Sequence, residues 1–152
     1  MGGGADYSES GANKILFHTV DAQLNMTSGW AFYAAYLGAY RNLLTNRGVT
    51  PGSYYDSGFL LQGSYMLTSQ LEPFARYDYT HLDGRAEPGI VKDSLHEITI
   101  GVNYYMYDQH LKITIDGTWL PNGSPADVPI LGVLQDDGHN ELLGRIQMQL
   151  SL

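Results

Sequence analysis

From His96 to Tyr107 the chain reads HEITIGVNYYMY. Ile98, Ile100, Val102, Tyr104 and Met106 fall on one face of an extended segment; Glu97, Thr99, Gly101 and Asn103 fall on the other. Strict period two marks a strand with one apolar and one polar face. The pattern recurs. Leu111, Ile113, Ile115, Gly117 and Trp119 oppose Lys112, Thr114, Asp116 and Thr118. Leu71, Ala75, Tyr77 and Tyr79 oppose Glu72, Arg76, Asp78 and Thr80. Leu142, Ile146, Met148, Leu150 and Leu152 oppose Arg145, Gln147, Gln149 and Ser151. A chain patterned this way cannot fold as packed helices, whose apolar positions recur every three or four residues. One segment, WAFYAAYLGAY from Trp30 to Tyr40, leaves its faces open, because both are apolar or small.

Seven strands are predicted: Lys14 to Met26, Trp30 to Leu44, Tyr54 to Leu67, Leu71 to His81, His96 to Tyr107, Leu111 to Leu120 and Asn140 to Leu152. Most are near the 9–11 residues or so that a tilted strand needs to cross a bilayer; strands of soluble proteins average about 5–6. The connections alternate in length. Residues 27–29, 68–70 and 108–110 are short links, whereas 45–53, 82–95 and 121–139 are longer and hold glycines and prolines. Membrane barrels pair short turns on one side with long loops on the other. The fold expected is all-β, an antiparallel transmembrane β-barrel meander that is incomplete. Residues 1–152 form one barrel segment, and residues 1–13 are a loop or disordered stretch where a long loop would stand. An isolated piece of this kind is expected to be an open curved sheet with two unpaired edges. Residues 1–6, MGGGAD, have neither the basic nor the apolar part of a secretory leader, so a mature form or a piece with an upstream start is expected.

Composition removes other classes. The net charge is -8 with 16 acidic against 8 basic residues, the opposite of what neutralising nucleic-acid phosphates requires. Without cysteine there is neither a disulfide framework nor a thiolate metal site. No apolar run approaches the roughly 20 residues of a membrane helix.

Alternation alone does not say which face is inside. A soluble barrel binding a lipophilic ligand turns its apolar face inward; a barrel in lipid turns it outward. The aromatics favour lipid. Trp30, Tyr65 and Tyr104 lie near the short turns, and Tyr40, Tyr55, Tyr79 and Trp119 near the long loops. Two aromatic bands with aliphatics between them match the girdles at the two membrane interfaces. The chain also ends in strand register, IQMQLSL. It is similar to the terminal strand by which the barrel-assembly machinery recognises outer-membrane proteins, with Leu152 where that signal commonly carries an aromatic residue.

Three stretches in order, GFLLQGSYMLTSQLEPFARYDYTHLD (58–83), HEITIGVNYYMYDQHLKITIDGTWL (96–120) and ELLGRIQMQLSL (141–152), resemble the phosphate-selective porin O/P family. The likeness is good over Tyr54 to Leu152 and loose over the first two strands. It implies an outer-membrane barrel of about sixteen strands, usually a homotrimer, passing small solutes or ions. With the apolar face on lipid, the pore-lining candidates are Asp21, Glu72, Arg76, Asp78, Glu97, Lys112, Asp116 and Arg145. Their charges are mixed, whereas an anion filter needs a basic ring, so the wall does not support phosphate preference. The bland role for each cation is a cross-strand pair with a carboxylate. Charge reversal at Lys112 and Arg145 is expected to alter ion preference without altering folding.

Nothing in the sequence points to catalysis, a cofactor or a bound metal. His18, His81, His96, His110 and His139 lack metal-pair spacing and suit turn or interfacial roles. Asp136-Asp137-Gly138-His139 lacks the ligand spacing of a calcium loop. No Gly-x-Ser-x-Gly, phosphate-loop or dinucleotide fingerprint is present. The readings carried forward are a passive porin in the bacterial outer membrane, a soluble lipophile-binding barrel, and a non-conducting membrane barrel.

Overall fold

A computed structural model describes residues 1–11, 13–43, 51–83, 93–106, 110–123 and 139–150. The strands are β1 (Gly2–Ser10), β2 (Asn13–Asn25), β3 (Trp30–Leu43), β4 (Gly52–Tyr65), β5 (Leu71–His81), β6 (Ser94–Met106), β7 (Leu111–Leu120) and β8 (Glu141–Leu150). They form one eight-stranded antiparallel sheet in sequence order. β1 and β8 are its two edges, so the sheet is not closed. The strands run from 9 to 14 residues, long enough to cross a bilayer when tilted.

β2 to β8 coincide with the seven predicted strands, most ends agreeing within two residues. Leu44, Tyr107 and the last two residues, proposed as strand ends, lie outside the described residues, as do Asp136, Asp137 and Gly138. The correction is β1. Residues 1–13 were expected to be a loop, yet Gly2 to Ser10 pair with β2 from Gly2↔Asp21 to Ser10↔Asn13. The physical reason is that Gly2, Gly3, Gly4 and Ala5 carry almost no side chain in which alternation could be seen. Pairing there rests on the backbone groups that the free edge of β2 presents. Gly11 makes the reversal with φ of 62°, a left-handed value that glycine adopts at no steric cost. Gly2 therefore lies on the short-turn side, and the described strands number eight.

The short connections have local causes. Between β2 and β3, Gly29 at φ 93° closes the turn; its N–H donates to the Met26 carbonyl at 3.0 Å, and the Met26 N–H donates to Trp30 at 2.8 Å. Between β4 and β5, the Thr68 hydroxyl oxygen accepts the N–H groups of Gln70 and Leu71 at 3.2 and 3.1 Å. Thr68 thus does for this turn what a capping hydroxyl does for a helix.

Register settles the faces. Residues directly opposed in antiparallel strands point the same way. One continuous row runs Phe32↔Gly63↔Ala75↔Ile100↔Gly117↔Gly144, and every member belongs to the apolar series. In the ambiguous strand β3, Trp30, Phe32, Tyr36 and Tyr40 thereby join the apolar face, while Tyr33, Leu37, Arg41 and Leu43 join the polar one.

Burial is inverted relative to a water-soluble core. Every buried strand side chain lies on the polar face, among them Thr99, Thr114, Asp116, Thr118, Ser64 and Glu141, with Phe74, Leu120, Tyr54 and Leu43. The apolar face is open: Ile100 is 68% and Ile146 78% exposed. In a single-layer sheet only curvature can bury one face, so the sheet curls around its polar side.

Gly101 shows how tightly. It faces Phe74 on β5 and Asp116 on β7, and a Cβ there would lie 2.6 Å from each side chain and 2.8 Å from the Ile115 carbonyl. The missing side chain leaves that space to the tip of the Phe74 ring and the Cβ of Asp116.

Candidate functional site

The polar face carries eight carboxylates and four cationic groups across the described strands. All eight residues singled out from the sequence, Asp21, Glu72, Arg76, Asp78, Glu97, Lys112, Asp116 and Arg145, lie on it by register. The apolar face carries only Glu9 and Lys14, which meet at 3.9 Å beside the β1–β2 turn. Charge is thus almost wholly confined to one side of the sheet.

Three of the four cations are held by carboxylates. Arg145 donates from Nε and Nη2 to one oxygen of Asp116 at 3.0 and 2.9 Å. Asp116 is 2% exposed at its side chain and Arg145 53%. Arg76 donates to Asp78, two residues on, at 2.7 Å, and reaches the Thr99 hydroxyl at 3.5 Å. Thr99 in turn bonds Thr118 at 2.8 Å. Arg41 pairs with Asp56 at 2.5 Å, and the other Asp56 oxygen accepts the Asp83 N–H at 2.8 Å. The cross-strand role expected for arginines holds for Arg145, whereas Arg76 finds its carboxylate within its own strand.

Lys112 differs. Among the described residues it forms no ion pair within 4.0 Å. It borders a polar cleft of about 420 Å³ near the short-turn end, with Gln23, Gln62, Asn103, Tyr105 and Glu72. Glu72 on that cleft is saturated: Ser64 donates to one oxygen at 2.7 Å, and Asn103 and Tyr105 donate to the other at 2.9 and 2.5 Å. Thr114 donates onward to Asn103 at 2.7 Å. This relay ties β4, β5, β6 and β7 together on the polar side.

Arg41, Asp56 and Tyr105 were missed from sequence. Arg41 lies in the strand whose parity was ambiguous. Tyr105 sits in a Tyr-Tyr pair where only the first was placed, on the apolar series. The signal available was Asp56, lying on the same parity as Gln62 and Ser64 in the next strand.

The polar face has one apolar island. Phe17 and Leu37 are exposed on it and border a shallow hollow of about 640 Å³ with Gly4, Ala39 and Gly58.

The seven interface candidates, Trp30, Tyr40, Tyr55, Tyr65, Tyr79, Tyr104 and Trp119, all lie on the apolar face. Trp30 and Tyr65 pack at 4.9 Å beside the short turns. Toward the long connections, Tyr36 and Tyr55 share a hydrogen bond of 2.6 Å, and Tyr79 packs on His96 at 4.9 Å. Two of the histidines read as turn or interfacial residues lie among these aromatics, His96 near the start of β6 and His18 inside β2. His18 lies mid-strand over Gly38, 3.0 Å from the Tyr55 hydroxyl; His96 takes a 2.7 Å bond with Tyr77. Among the described residues no group of three or more His, Asp or Glu is placed to hold a metal ion.

Comparison with curated proteins and with solved structures finds no match. The family model for phosphate-selective porin O and P matches residues 26–119, the span holding β3 to β7. The terminal strand β8, part of the likeness seen in the sequence, lies beyond the matched span. With more than half of its residues matched, the chain belongs to the phosphate-selective porin O and P family.

Proposed function

We propose that the chain forms part of the wall of a water-filled channel in the bacterial outer membrane, through which small hydrophilic solutes or ions diffuse. One observation carries the reading: charge and burial lie on the same face, and large apolar side chains lie exposed on the other. In water that distribution would expose most of the apolar surface, at about 25 cal/mol per Å². In lipid the same surface is solvated, and the polar face lines the lumen. A soluble barrel holding a lipophilic ligand requires the opposite polarity. Asp21, Glu72, Arg76, Asp78, Glu97, Lys112, Asp116 and Arg145 then line the pore, and the seven aromatics sit at the two membrane interfaces.

The free edges of β1 and β8 bear on assembly. Unpaired backbone groups cost several kcal/mol each in hydrocarbon, so in the membrane both edges must be paired. Insertion by the barrel-assembly machinery and a homotrimeric state are part of this reading. A trimer band on unheated gels that collapses to monomer on boiling is expected; a monomer under both conditions counts against the trimer.

Conductance tests the channel reading. The full-length protein in planar bilayers is expected to give stepwise ohmic currents; a folded, inserted protein that stays silent would make it a non-conducting barrel. Lys112 provides the selective probe, being the polar-face cation that forms no ion pair among the described residues. Lys112→Glu is expected to move the reversal potential toward cations and to leave the urea midpoint unchanged. An unmoved reversal potential would place Lys112 away from the lumen.

A further inference from the structure

The polar face holds twice as many acids as bases. Arg41, Arg76 and Arg145 are matched by Asp56, Asp78 and Asp116, and Lys112 shares its cleft with Glu72. Asp6, Asp21, Glu97 and Glu141, one on each of β1, β2, β6 and β8, bring the acids on this face to eight against four bases. The surplus is spread over both halves of the sheet. Glu97 directly opposes Asp78, so Arg76 is set against two carboxylates. The long connections do not restore the balance: residues 44–51, 82–93 and 121–140 hold six acidic and three basic residues.

We propose that this wall prefers cations, so that small cationic or neutral solutes, not phosphate or other anions, are favoured through the pore. The inference rests on the channel reading above and concerns the sign of its selectivity. Its basis is the field of the whole face, not one binding site. A wall potential of about half a kT acts with opposite sign on cations and anions and separates their concentrations by roughly threefold. The bias weakens with salt, since the screening length falls from about 10 Å at 0.1 M to about 3 Å at 1 M. A basic ring, which anion selection needs, has no counterpart among the described strands, where three of the four cations are already spent on carboxylates.

The experiment is the reversal potential of the full-length protein in planar bilayers under a KCl gradient. Potassium is expected to permeate roughly two- to fivefold better than chloride near 0.1 M, with the ratio approaching one at 1 M. Asp21→Asn combined with Glu97→Gln is expected to bring the 0.1 M ratio down toward one. Lys112→Gln is expected to raise it. Among the described residues neither Asp21 nor Glu97 forms an ion pair within 4.0 Å, and Arg76 keeps Asp78 when Glu97 is neutralised, so folding is expected to be retained, and urea midpoints of the variants check this. Conducting channels that favour chloride would overturn the inference and leave the channel reading standing. A silent bilayer would overturn both.

Discussion

Ile146→Arg is expected to destabilise the membrane-inserted protein by about 2–4 kcal/mol, while Gln147→Arg, one residue along the same strand, is expected to change stability by less than about 1 kcal/mol. The two positions sit at the same depth, near the middle of β8, and differ only in face. Ile146 opposes Ile115 on the apolar side, and Gln147 opposes Thr114 on the polar side. Both are exposed in the isolated sheet, so neither change overpacks a core, and the difference isolates what each face touches. An arginine at Ile146 must lose water or drag it into the bilayer; at Gln147 it joins the wet wall. The predicted loss is a large share of a typical net stability of about 5–15 kcal/mol. The measurement is urea unfolding in lipid vesicles, followed by tryptophan fluorescence from Trp30 and Trp119. The opposite ranking would mean that the polar face meets lipid. Equal tolerance at both sites would mean that β8 does not contact hydrocarbon.

How far the sequence discloses this molecule depends on what each residue's side chain says about its neighbours. In β5 to β8 the contrast between faces is large, Ile100 beside Thr99 or Ile115 beside Asp116, so strand positions, faces and charged wall residues are all legible. In β3 the contrast vanishes: Ala31, Ala34, Ala35 and Ala39 fit either face. Only pairing with β2 and β4 places Arg41 on the polar side, where it meets Asp56. In β1 the glycines carry no contrast at all, and the strand exists through its partner's edge. Pairings within the wall are hidden for another reason. Parity places Arg76 and Thr99 on one face, but whether Arg76 reaches across to β6 or along its own strand to Asp78 depends on side-chain packing that period-two patterning does not encode. Tyr105, donating to Glu72, is the same case.

That distinction matters most at Arg145. From sequence alone Arg145 and Lys112 are equivalent wall cations, and reversing either is expected to leave folding intact. In the structure they are not equivalent. Arg145 is the partner of a carboxylate that has almost no access to water, because Asp116 lies where the absent side chain of Gly101 makes room. Arg145→Gln therefore strands a buried charge. Removing one member of a buried pair costs about 3–5 kcal/mol. Arg145 is half exposed, so its own contribution is partly screened, and a loss of about 2–3 kcal/mol is expected. Adding Asp116→Asn to Arg145→Gln removes the stranded charge and is expected to recover most of that loss, since an amide pair can hydrogen-bond without desolvating an ion. The urea midpoints of the two single variants and the double variant form the cycle that measures this coupling. Additive midpoints, with no recovery in the double variant, would show that Asp116 reaches water on its own and that Arg145 is as separable from folding as Lys112.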